Sequence, residues 1–213
     1  MDLIFTLISL LILIYSAILH EIAHGFVAER LGDPTARIMG RLTLNPKNHI
    51  DPIMSIALPL LLLISGSPIV FGAAKPVPVD PFNLRDGRKD MALVSLAGPA
   101  TNILLAILGV ILIRVWTFIP IDGAPGAFIE WFFLTVVRLN LLLAIFNLIP
   151  IPPLDGSKIF SLILPEREAA VYLSFGSIGF FIIFFLLLFP IGGFSLGSVI
   201  SNLLMFSEHL LGL

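Results

Sequence analysis

The chain has 213 residues, of which 58% are hydrophobic and 12% charged, with a formal net charge of −2. A soluble domain carries about 25% charged residues, so this composition excludes an ordinary soluble fold and indicates an all-α polytopic membrane protein, read as one domain over 1–213. The net charge argues against nucleic acid as a partner, and the absence of cysteine excludes disulfides, a thiolate nucleophile and thiolate metal sites. The N-terminus has no basic residue and does not read as a cleaved signal peptide.

The first apolar run, about 3–28, is long enough to cross hydrocarbon, which takes roughly 20 mainly apolar residues. Inside it stands AILHEIAHGF (17–26). His20 and His24 are i, i+4 neighbours on one helical face, where their imidazoles can supply two ligands of a tetrahedral Zn²⁺. Glu21 sits one residue along, beside the metal, placed to take a proton from water. This is the H-E-x-x-H pattern of metal hydrolases. Ionisable residues inside a span mark function by default, and one zinc ion per chain would offset their cost.

Segments 29–51 and 72–90 carry Arg30, Arg37, Arg41, Lys47, Lys75, Arg85, Arg88 and Lys89, which assigns both to the cytoplasmic side. Between them, 53–71 contains Pro59, Gly66 and Pro68 and is read as a broken, re-entrant hairpin; a kinked ordinary span is the alternative. FGAAKPVPVDP (71–81) and GRLTLNP (40–46) read as short extended strands, the first at an edge because proline blocks ladder pairing on one side. Val77 and Val79 would present that edge to an unwound substrate.

Spans follow at about 91–118 and 129–150, joined by 119–128, which has no Lys or Arg and is assigned outside. The second of these spans is interrupted in NLIPIPPLDGSKIF (147–160), where Pro150, Pro152 and Pro153 unwind the helix and Gly156 permits a turn. Asp155 is the one carboxylate there in a marked apolar setting. It reads either as the N-cap of a helix beginning at Gly156 or as a metal ligand. The two-histidine site lacks a ligand, and His49 and His209 read as surface or interface histidines, so the metal is favoured. His24 lies about 9 Å along the helix from Arg30, and Asp155 is close to Lys158. The two share one depth, toward the cytoplasmic side, only if a single crossing separates them, which agrees with a re-entrant 53–71. One or two C-terminal helices complete the chain, a span at about 169–189 and a short apolar tail at 196–213.

HEIAH, SLAGPATN (95–102) and NLIPIPPLDG (147–156), in that order and in successive spans, resemble the site-2 proteases, which are intramembrane zinc metalloproteases. The resemblance covers about residues 10–165 and suits a small bacterial or archaeal member without a PDZ domain. It implies a core of three transmembrane helices bearing the metal site, over about 3–165. It implies His20, His24 and Asp155 as zinc ligands and Glu21 as general base. Asn147 corresponds to an asparagine that helps hold substrate or oxyanion, and Asn102 to a packing residue. Lys75, Pro76 and Val77, in AKPVPV (74–79), correspond to an extended segment that approaches the substrate. The implied activity is regulated intramembrane proteolysis: hydrolysis of peptide bonds within or near transmembrane segments of membrane-protein substrates, in the lipid bilayer of the cell membrane. Ser157 stands where relatives often carry a second glycine.

Two other function classes are open. Gly193-Phe194-Ser195-Leu196-Gly197 matches G-x-S-x-G and, with His209, suggests an intramembrane serine protease, although that motif needs a strand–turn–helix setting. A membrane metal transporter or zinc-stabilised binding protein would use Glu21 as a ligand, but no internal repeat is visible.

Overall fold

The computed structural model describes residues 2–52, 57, 61, 64, 74–118, 123–190, 192–193 and 195–213. Most of 53–71, where the re-entrant hairpin was expected, lies outside the described residues. The described elements are helical. In chain order they are α1 (Asp2–Leu31), α2 (Thr35–Ile38), α3 (Gly87–Trp116), α4 (Ala124–Asn147), α5 (Asp155–Phe160), α6 (Glu166–Ser174), α7 (Gly176–Leu188) and α8 (Leu196–Leu210). Three of them, α1, α3 and α4, are long and apolar enough to cross a bilayer, and with the composition they define a multi-pass membrane protein.

These three helices pack together, and small residues let them approach. A Cβ on Gly109 of α3 would stand 2.7 Å from Val137 Cγ2 of α4, so glycine there sets the interhelical distance. Ala106, Val110, Ile113, Val137 and Leu141 fill the α3–α4 seam. The outward face of α1, including Leu3, Leu7 and Leu11, stays exposed, as suits a lipid-facing surface.

The expected span at 169–189 is two helices, α6 and α7, bent by 66°. The polar first turn of α6 has Glu166, Arg167 and Glu168 exposed, and the Tyr172 hydroxyl donates to the Pro150 carbonyl at 2.7 Å. α6 is thereby tied to the proline-rich loop and does not continue the axis of α7. The tail forms α8, which docks on the core. Arg138 Nε of α4 donates to Glu208 Oε1 at 2.8 Å, and Arg114 Nη2 of α3 donates to the Leu211 carbonyl at 2.9 Å.

Neither expected strand is present among the described residues. Residues 42–44 form bends, and 74–80 run without a partner strand. The alternating prolines explain this. Pro76 and Pro78 have no N–H, and nearby amides are claimed by acceptors outside any ladder. Lys75 N–H goes to the His49 carbonyl (2.8 Å), Val77 N–H to Glu21 Oε2 (2.7 Å) and Asp80 N–H to Asp33 Oδ2 (2.7 Å). Arg41 Nη2 donates to the carbonyls of Lys75 (2.7 Å) and Pro76 (3.2 Å). His49 is buried, not a surface residue, and its Nε2 meets the Thr43 carbonyl at 2.8 Å.

Asp33 anchors this assembly. Gly32, with φ +116°, turns the chain out of α1, and the fully buried Asp33 carboxylate collects the Thr35 N–H and hydroxyl, the Asn83 amide and the Asp80 N–H. Burial alone would raise the carboxyl's pKa, but these hydrogen bonds hold it below the ordinary carboxylate value. Its stabilisation is therefore complete above about pH 4 and fades as pH falls through the lowered value. Losing such buried hydrogen bonds costs about 1–3 kcal/mol, so Asp33→Ala should speed amide exchange at Thr35 and Asp80 about tenfold or more, read by hydrogen–deuterium exchange.

Candidate metal centre

The Nε2 atoms of His20 and His24 lie 3.0 Å apart, and each lies 3.2 Å from Asp155 Oδ2. All three residues are buried. Among the described residues they are the group of three whose ligand atoms converge. The helical period of α1 brings the histidines together. Asp155 arrives from the other side, because α4 ends at Asn147 and the proline-rich loop folds back to start α5. That return is close. A Cβ on Gly156 would stand 2.2 Å from the Leu148 carbonyl oxygen, so only glycine follows Asp155 without moving the loop. Ser157, where glycine was expected, is buried and donates its hydroxyl to the Leu154 carbonyl at 2.6 Å, which steadies the same turn. Asp155 is the first residue of α5 and not its cap; Leu154 holds the cap position without a side-chain bond. Asp155 Oδ1 faces Lys158 Nζ at 3.4 Å, leaving Oδ2 for the histidines.

The chemistry of this donor set fits a cation. His24 Nδ1 lies 2.7 Å from the Val94 carbonyl, which only accepts, so the proton of the neutral ring is on Nδ1 and Nε2 is a bare lone pair. His20 Nδ1 lies 2.6 Å from Asn102 Oδ1, which sets the same tautomer. Two lone pairs and a carboxylate oxygen then face one another at 3.0–3.2 Å. Without a cation they repel. Ligands around a tetrahedral zinc stand about 3.3 Å apart, close to this triangle, and two histidines with one carboxylate leave the fourth position of a catalytic zinc open.

α3 supplies the wall of the site. Val94, Gly98 and Asn102 follow one another at i, i+4, i+8 on a single face. The outer two meet His24 and His20, and the middle one leaves a gap. A Cβ on Gly98 would stand 2.5 Å from the Nε2 atoms of both histidines. Gly98 thus keeps open a cradle that a metal would fill. Its signal lay in SLAGPATN, where the spacing from Asn102 is one helical turn, although sequence alone gave it no partner.

Glu21 is half-buried beside the ligands, with Oε2 accepting from the Val77 N–H at 2.7 Å. Val77 is itself buried, and a Cβ on Gly25 would stand 2.8 Å from its Cγ1, so the strap of residues 75–77 is pressed against α1. Lys75, Pro76 and Val77 are engaged with Arg41, His49 and Glu21, and in the segment where Val77 and Val79 were expected to present an edge the Val77 N–H is bonded to Glu21. Asn147, last residue of α4, donates Nδ2 to the Leu143 carbonyl of its own helix at 3.0 Å. Ser195 caps α8, accepting from Ser198 N–H, while His209 is in the last turn of the same helix. At about 1.5 Å per residue they lie about 20 Å apart, which rules out a Ser195–His209 dyad.

A buried His–His–Asp set between membrane-length helices, with a glutamate beside it, defines a membrane metallohydrolase. The family model for peptidase family M50 matches residues 122–190. YwhC of Bacillus subtilis, assigned by name to the zinc metalloproteases, is 37% identical over 191 residues, covering 89% of this chain and 84% of its own. Rip2 of Mycobacterium tuberculosis, assigned by name likewise, is 37% identical over 157 residues, covering 73% of this chain and 57% of its own. Zinc metalloprotease MJ0392 of Methanocaldococcus jannaschii is 28% identical over 166 residues, 77% of this chain and 36% of its own. No solved structure matches the chain. The chain belongs to peptidase family M50, the site-2 protease family, and is a membrane zinc metallopeptidase. That identity displaces the transporter and binding-protein alternatives.

Gly98→Ala should abolish zinc binding in a chain that still folds, because the new methyl group occupies the metal's place. Metal content by mass spectrometry on detergent-purified protein checks this; zinc retained at the wild-type level would contradict it.

Proposed function

We propose that this chain is an intramembrane protease of one domain, cutting peptide bonds within or near transmembrane segments of membrane-protein substrates, with its site toward the cytoplasmic face of the cell membrane. The observation that carries this is the convergence of His20, His24 and Asp155 between helices long enough to span a bilayer. A peptide bond reaches such a site only from a substrate already in or at the membrane.

His20, His24 and Asp155 would hold one zinc ion, which when bound acidifies water and polarises a carbonyl. Glu21 takes the proton of the attacking water and returns it to the leaving amine. The Val77 N–H holds Glu21 Oε2, and Oε1, which has no hydrogen bond among the described residues, accepts from that water. Asn147 has one amide hydrogen on Leu143 and a second to offer the developing oxyanion. A helical substrate hides its carbonyls, so the cut falls where Gly, Pro, Ser or Asn lets the helix unwind.

The direction of the helices supports a re-entrant 53–71. His20 pairs with Asn102 and His24 with Val94, so α1 and α3 run antiparallel, as they do if the chain between them returns to the side it left. The His49–Lys75 bond joins the chain on either side of that segment, whereas a crossing would separate its ends by about 30 Å. The basic residues flanking it favour the cytoplasm as that side.

In proteoliposomes with a single-span reporter, chelator-sensitive cleavage inside the span is expected. Glu21→Gln should lower kcat about 10²–10⁴-fold while zinc stays bound, and an active variant would remove Glu21 as the base. Val77→Pro deletes one hydrogen bond to a charged group, so kcat should fall about tenfold or more at unchanged zinc content. Cleavage confined to soluble peptides would overturn the intramembrane assignment.

A further inference from the structure

A chain of polar groups lies beside the ligands and links α1, α3 and α4. Asn102 and Asn140 are fully buried, and Ser16 nearly so. Asn140 Nδ2 donates to the Val136 carbonyl at 2.8 Å and to Ser16 Oγ at 3.0 Å. Asn140 Oδ1 accepts from Asn102 Nδ2 at 2.8 Å. Asn102 Oδ1 accepts from His20 Nδ1 at 2.6 Å.

The order of these bonds has a direction. A side-chain amide has two orientations of nearly the same shape, and its surroundings choose between them. The Val136 carbonyl only accepts, so Asn140 must turn its NH₂ group there. Its oxygen is then left facing Asn102, which must answer with its own NH₂. The Asn102 oxygen is left for His20, which must carry its proton on Nδ1. Nε2 is thereby bare and aimed at the metal position. Reversing any amide would set two acceptors or two donors face to face, where neither water nor lipid relieves them.

We infer that Asn140 is a positioning residue for the metal centre, fixing the tautomer and ring orientation of His20 through Asn102. The inference rests on the metal assignment made above. It differs from a packing role, in which Asn140 would hold helices together and its loss would not depend on what occupies position 102.

The test is zinc affinity of the full chain in detergent, by competition with a chromophoric chelator, with the absorption spectrum of the cobalt(II)-substituted protein as a readout of ligand geometry. Asn140→Ala should weaken zinc binding about tenfold or more, the range found for outer partners of metal ligands, and shift the cobalt spectrum. In an Asn102→Asp background the same substitution should cause no further loss, because a carboxylate presents an acceptor to His20 in either orientation. Asn140→Leu, which keeps volume and suits a membrane helix, serves the same comparison if the alanine variant does not fold. Wild-type affinity in Asn140→Ala, or an equal loss in both backgrounds, would overturn the inference. A wild-type chain that takes up neither zinc nor cobalt would instead sink the metal assignment on which it rests.

Discussion

Two bare imidazole nitrogens and a carboxylate oxygen held 3.0–3.2 Å apart repel one another unless a cation lies among them. In a low-dielectric interior that repulsion has no solvent to absorb it. The rest of the structure is organised around enforcing the convergence. α1 contributes both histidines through its own period. α3 contributes acceptors for their far nitrogens and, at Gly98, the space between them. The proline-rich loop brings Asp155 back to the end of α4, and α6 is bent aside and pinned to that loop by Tyr172. The far nitrogens of both histidines and the Tyr172 hydroxyl each have a protein partner, as polar groups in hydrocarbon require.

Two environments divide the work. The candidate ligands are set by α1 and by the loop that follows α4, whereas Glu21 is oriented from outside the membrane helices. Glu21 is held by an amide in the strap of residues 75–77, and the strap is held by Arg41, a buried cation whose Nη2 is spent on the carbonyls of Lys75 and Pro76. Asp33 fixes the following turn. The juxtamembrane segments therefore act as a brace for the Glu21 carboxylate.

Local signals in the sequence were reliable here and distant ones were not. The spacing of His20 and His24 is a helical rule and needs no tertiary knowledge. Asp155 was legible because so few carboxylates stand among apolar residues, and the proline run beside it implied a break. By contrast, alternating Val and Pro at 76–79 carries the composition of an edge strand, yet its fate was decided by acceptors at His49, Glu21 and Asp33, remote in sequence. The bend at Phe175 was hidden because hydropathy runs on through it, while the polar first turn of α6 and Tyr172 pull it off axis. Gly98 stood in a quoted motif without a role, since the atoms it makes room for are on another helix. Asn140 gave no signal at all: a single asparagine in an apolar run acquires meaning only when Ser16 and Asn102 are beside it.

The ligand set also fixes a schedule. His20 and His24 precede α3 and α4 in the chain, and Asp155 follows only after both have been synthesised. A nascent chain that has inserted α1 alone holds two of the three ligands and none of the wall that orients them. The candidate metal centre is thus complete only once the loop after α4 has been made, and α1 alone cannot assemble it.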